Sequence, residues 1–200
     1  MIARTNICPD PRFADMKADL MDRLARVAAS VQPENFASLM DPLMQDTLQR
    51  GFVEAGAHEG TVWLLDRSGE FLLPAYNTGP NAERFVGRFK QPLNAGLICM
   101  VFASEQPFVE SEVHKNCHQS RLLDKTLGVQ TYALVAVPFY YLGACRGVVS
   151  CVQLKNSAHS ETDPAGFTST ALKAVHGAAT TLSRLLELRL ISLTLGLASD

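Results

Sequence analysis

The chain has 200 residues, 47% hydrophobic and 19% charged, a globular composition suited to one domain with a helical appendage. Its 18 Lys and Arg against 20 Asp and Glu give a net charge of −2 with no basic cluster, which argues against nucleic acid as a direct partner. No uninterrupted apolar run approaches the roughly 18 residues of a membrane span, and the first 13 residues lack the apolar centre of a signal peptide, so a soluble cytoplasmic protein is expected.

After a Pro-containing lead, Phe13, Met16, Leu20, Leu24, Val27 and Ala28 recur at helical spacing with charge between them, predicting an amphipathic helix over 13–31. Gln32-Pro33-Glu34-Asn35 interrupts it. Phe36, Leu39, Leu43, Leu48 and Phe52 predict a second helix over 36–55, with Gly56 as its stop. GTVWLLD at 60–66 reads as a strand, Asp66-Arg67-Ser68-Gly69 as a turn, and 70–77 as a hairpin partner weakened by Pro74. A short strand is expected within 85–93, a buried helix over 96–104, a brief strand over 107–110, a polar loop over 114–119 and a helix over 119–127.

The stretch 127–155, LGVQTYALVAVPFYYLGACRGVVSCVQLK, reads as two adjacent strands. Thr131 to Phe139 and Gly147 to Leu154 are apolar, β-branched runs joined by a link holding Gly143. Pro138 stands where the first run is expected to end. From Asp163, a candidate N-cap with Pro164 behind it, a long helix is expected through Leu193. Hairpins without βαβ alternation predict an α+β fold.

The five cysteines, Cys8, Cys99, Cys117, Cys145 and Cys151, are odd in number and scattered, with no CxxC pair. Neither a disulfide framework nor a structural zinc site is expected, and most are read as small buried hydrophobes. The sequence assigns no catalytic residue and no metal ligands, and it specifies no cofactor.

The spacing of Pro138, Gly143, Gly147 and Val148-Val149 resembles the second hairpin of the GAF domain, a sensory relative of the PAS fold. Trp63-Leu64-Leu65-Asp66 with Ser68-Gly69 resembles that family's first hairpin, Asn94-Ala95-Gly96-Leu97-Ile98 its helix start, and Gln106-Pro107-Phe108-Val109 its edge strand. The resemblance spans roughly residues 36–187. It implies a central antiparallel sheet of about six strands, with N- and C-terminal helices on one face and a small-molecule pocket on the other. Residues 1–35 then form an N-terminal helical segment, the closing helix begins at about 164, and 188–200 form its end and tail.

Three specific chemistries of the family fit these residues poorly. Cys117-His118 matches the bilin-attachment dipeptide, but Arg121 and Leu122 stand where the family carries an aromatic residue. Gly128-x-x-Thr131 leading to Val137-Pro138 matches the strand entry of cyclic-nucleotide-binding members, but Lys115-Asn116 is reversed and Lys125 replaces an acid. Cys99 lies near a thiol position of the free methionine sulfoxide reductases, while Leu134 or a neighbour occupies the carboxylate position and no acid stands between Lys125 and Ser160.

An apolar pocket with a few polar tips remains. Strand alternation puts Trp63 and Leu65 on the face opposite Val62 and Leu64, and Tyr132 and Leu134 opposite Ala133 and Val135. Trp63, Phe85, Ile98, Phe102, His118, Tyr132 and Gln153 are the expected ligand contacts. The end of the closing helix carries eight Leu or Ile in the fifteen residues 183–197, too many for one stripe against one sheet. A homodimer through the terminal helices, with a separate partner protein for output, is therefore expected. The alternatives are a thiol enzyme using Cys99 or Cys117 and a ligand-free dimerisation module.

Overall fold

The computed structural model describes residues 11–155 and 163–197, so Cys8 and the expected tail beyond Leu197 lie outside it. A 3-10 turn at Pro11–Phe13 leads to α1 (Lys17–Ser30). Leu24 and Ala28 form the buried face of α1, whereas Phe13 and Met16 face solvent. The expected second helix is two, α2 (Phe36–Leu39) and α3 (Pro42–Glu54). The break follows from Pro42, which disfavours helical backbone at Asp41. The Asp41 side chain instead caps α3, accepting from the Met44 N–H at 2.9 Å.

The sheet comprises β1 (Glu59–Leu65), β2 (Phe71–Asn77), β3 (Gln91–Pro92), β4 (Phe108–Glu110), β5 (Gln130–Tyr141) and β6 (Ala144–Lys155), in the order β3-β2-β1-β6-β5-β4. Every neighbouring pair is antiparallel. Pro74 is accommodated within β2 beside a register shift against β1. β5 runs past Pro138 to Tyr141, further than expected, because β4 covers only Leu134 to Ala136 and leaves that edge free where the proline stands. Gly147 permits the close approach of β6 to β1, since a Cβ there would lie 1.9 Å from the Trp63 carbonyl oxygen.

One face of the sheet packs on α3 and on α7 (Ser169–Thr194), with α1 against α7. Val62, Leu64, Ala133, Val135, Val137 and Val149 meet Leu48, Phe52, Val175, Leu182 and Leu186 in the larger core. α7 begins at Ser169, not near Asp163, because Gly166 has left-handed backbone (φ +77) and Thr168 supplies the cap. Asp163 pairs with Lys155.

The other face carries α4 (Ala82–Phe85), α5 (Leu97–Ser104) and α6 (Leu122–Leu127), with a 3-10 turn at Val113–Lys115. Phe85, expected in a strand, closes α4, and the strand of that region shrinks to β3. Trp63, Leu72, Leu97, Cys99, Val101, Leu134 and Val148 form the second core. No described helix is long and apolar enough to cross a membrane.

Candidate functional site

A cavity of about 70 Å³ lies between the sheet and its second layer of helices. Its floor follows from strand alternation: Glu59, Thr61 and Trp63 from β1, and Ser150, Val152 and Leu154 from β6, share one side of the sheet. Phe85 of α4, Gln91 of β3, and Leu97 and Ile98 of α5 wall it, and Gln119 to Val129 close it with the help of Leu123 and Leu127 from α6.

β5 contributes Thr131 and Leu134, three residues apart, because a bulge interrupts the alternation. Thr131 pairs with Leu154 and Ala133 with Gln153, leaving Tyr132 as the extra residue. The bulge turns Tyr132 out of the cavity and packs it against the helix-side core and the His114 ring, 5.8 Å between centroids. The bulge-adjacent Thr131 gains a fixed position, its N–H and Oγ1 both donating to the Asp124 carboxylate at 2.9 and 2.7 Å.

Of the seven expected contacts, the structure brings Trp63, Phe85 and Ile98 to the cavity. Phe102 packs in the second core without lining it. His118 is exposed and borders a separate surface cleft with Cys99 and Cys117. Tyr132 and Gln153 are on the other side of the sheet. Gln153 is a brace: its Nε2 donates to the Gly56 carbonyl at 3.0 Å and its Oε1 accepts from the Gly166 N–H at 2.9 Å. It thereby ties the end of α3 and the entry to α7 onto β6.

The polar groups of the cavity were the part sequence reasoning missed. Trp63 Nε1 donates to Ser150 Oγ at 3.0 Å, fixing the indole across β1 and β6. Gln91 is buried, its Nε2 donating to the Ala95 carbonyl at 2.9 Å. Glu59 is only 8% exposed and, among the described residues, has no hydrogen-bond or ionic partner. Burial pushes its carboxyl up from the usual carboxylate range, since desolvation penalises the charged form. A Cβ at Gly79 would lie 1.8 Å from Glu59 Oε2, so that glycine makes room for the carboxyl. Counting back in twos from Trp63 along β1 reaches Thr61 and Glu59, a signal present in the sequence.

The thiols stand differently. Cys99 is buried, and burial pushes its thiol up to about 11; Cys151, buried on the helix side, is pushed up to about 12. A thiolate is the nucleophile in thiol chemistry, and neither site favours one. Among the described residues no cluster of three His, Cys, Asp or Glu could hold a metal ion.

No protein-family model matches the chain, and no curated protein matches it. Solved structures do match. The GAF domain of an Acinetobacter phosphoenolpyruvate-protein phosphotransferase aligns at a TM-score of 0.57 and 17% identity, over 90% of this chain and 97% of that one. The GAF domain/HD domain protein from Geobacter sulfurreducens aligns at 0.57 and 16%, over 76% and 96%. The chain has the GAF-domain fold. Free methionine-R-sulfoxide reductase from Neisseria meningitidis, solved with its substrate, also shares this fold, at a TM-score of 0.52 and 18% identity over 94% and 96%. A GAF domain of a phosphotransferase, a GAF domain/HD domain protein and a free methionine-R-sulfoxide reductase thus share the fold, and fold alone does not choose among their roles.

Proposed function

We propose that this GAF-fold chain is a small-molecule-binding regulatory domain, with its ligand in the cavity bounded by Trp63, Phe85 and Ile98. The observation that carries this reading is a mainly apolar cavity furnished with a few fixed polar groups, the usual form of a small-molecule site. A core meant only for packing has little use for the buried Glu59, Gln91 and Ser150 that line the cavity. The raised Cys99 thiol weighs against the thiol-enzyme alternative.

The route to an output follows from β5. Thr131 and Leu134 face the cavity, while Ala133, Val135 and Val137 between and beyond them pack on the helix side with α7. A ligand with different affinity for two positions of β5 shifts how α7 sits. α7 and the lead to α1 present Leu188, Leu193, Leu195, Phe13 and Met16 to solvent, each at least 45% exposed. Phe13, Met16 and Leu195 line a mainly apolar groove of about 710 Å³ with Leu20. We assign this surface to a second copy of the chain, with a partner protein reading the resulting dimer. The four described cysteines are unpaired, which supports a reducing, cytoplasmic setting.

The test is ligand binding to wild type and to Ile98→Trp, whose indole fills the cavity. Calorimetric titration of a metabolite library is expected to find a ligand whose affinity falls at least about tenfold in the variant. A ligand bound equally by both proteins places the site elsewhere and overturns the reading.

A further inference from the structure

The charges lining the cavity are Glu59 and Asp124, and among the described residues no Lys, Arg or His lines it. The two acids are not equivalent. Asp124 is committed to the N–H and hydroxyl of Thr131. Glu59, more than nine-tenths buried, has no partner among the described residues and stands beside Thr61 and Trp63 on the cavity floor. The nearby cation on α4, Arg84, is engaged elsewhere, donating to Asn81 Oδ1 at 3.3 Å, the Thr126 carbonyl at 3.3 Å and the Leu127 carbonyl at 3.5 Å.

A buried carboxyl without a partner is costly to ionise unless a ligand supplies the opposite charge. The aromatic walls point the same way, because the faces of Trp63 and Phe85 attract cations. A divalent metal needs several oxygen ligands, and only Glu59 offers uncommitted carboxylate oxygens. A ligand carboxylate would face two acids with no cation to receive it.

Resting on the reading of the cavity as a ligand site, we infer that it takes a small primary amine lacking a carboxylate, its ammonium held by Glu59. The size agrees: a cavity of about 70 Å³ holds a few groups the size of a water, each of which needs roughly 10–15 Å³. The ammonium donates to the Glu59 oxygens, and the short carbon stem lies among Leu134, Ile98 and the aromatic rings. The bound state keeps Glu59 ionised at neutral pH.

The experiment titrates the whole chain calorimetrically with matched probes: ethylamine and propylamine, their α-carboxylated counterparts alanine and 2-aminobutyrate, the neutral 1-propanol, and calcium chloride. The amines are expected to bind at least about tenfold more tightly than every other probe. Glu59→Gln, which keeps the side-chain shape, is expected to lower amine affinity at least about tenfold, a charged hydrogen bond being worth that much, and Glu59→Asp to retain part of it. Preference for the amino acids, the alcohol or calcium, or amine binding unchanged in Glu59→Gln, overturns the inference while leaving the cavity a ligand site. Binding of no probe overturns the inference, and the Ile98→Trp library titration then decides the broader reading separately.

Discussion

Glu59 links stability to pH at the scale of one residue. Its carboxyl is raised by burial, so at about pH 4, below the ordinary glutamate value, it is mostly protonated in both folded and unfolded chains and costs little. As pH rises through its folded value, the native state must ionise a desolvated group that the unfolded chain ionises freely, and stability is lost. Glu59→Gln is therefore expected to raise the melting temperature at about pH 8 and to leave it nearly unchanged at about pH 4. A variant that melts lower at pH 8 contradicts the picture of an uncompensated buried acid. A saturating amine is expected to narrow the difference from the wild-type side, because binding to the ionised native state stabilises it.

At the scale of elements, Gln153 shows how one side chain organises two helices. Its amide serves the Gly56 carbonyl at the end of α3 and the Gly166 N–H at the entry to α7. Gln153→Ala leaves the Gly56 carbonyl and the Gly166 N–H without this partner, and the loss of two hydrogen bonds is expected to cost about 1–3 kcal/mol in urea unfolding. Ligand affinity at the cavity is expected to stay within about twofold, because β6 places Gln153 on the helix side and Val152 and Leu154 on the cavity side. A large loss of binding with unchanged stability would reverse those roles. The bulge at Tyr132 is the second organising device, since it delivers Thr131 to Asp124 and removes Tyr132 from the site.

For the whole molecule, the two faces of one sheet divide the work. The cavity face holds the fixed polar groups, and the helix face carries the core that continues into α7. Along the end of α7, Leu186 and Leu190 are buried while Leu188 and Leu193 are 64% and 45% exposed. Excess apolar surface of this kind marks an interaction site. Light scattering is expected to give a dimer mass for wild type, and a monomer mass for Leu188→Glu combined with Leu193→Glu. The same variant is expected to melt within a few degrees of wild type at low concentration, since both positions face solvent in the single chain. A monomeric wild type removes the second copy from this surface.

The sequence by itself determined the order of the main helices and hairpins, the antiparallel α+β class and the face assignment of β1. Apolar periodicity, Gly-bounded hairpins and the period of two are local properties, legible wherever the backbone stays regular. That is why the period of two sets Trp63 on the face opposite Val62 and Leu64. Tertiary structure decided what irregular backbone decides: the split at Asp41-Pro42, the late start of α7 after Gly166, and the bulge that exchanges Tyr132 for Thr131. It also decided the partners of the polar groups. Gln153 finds Gly56 across 97 positions of chain and Trp63 finds Ser150 across 87, while Glu59 finds none among the described residues. Local pattern fixes which face a side chain takes, but only the packed chain determines whether a buried charge meets its opposite.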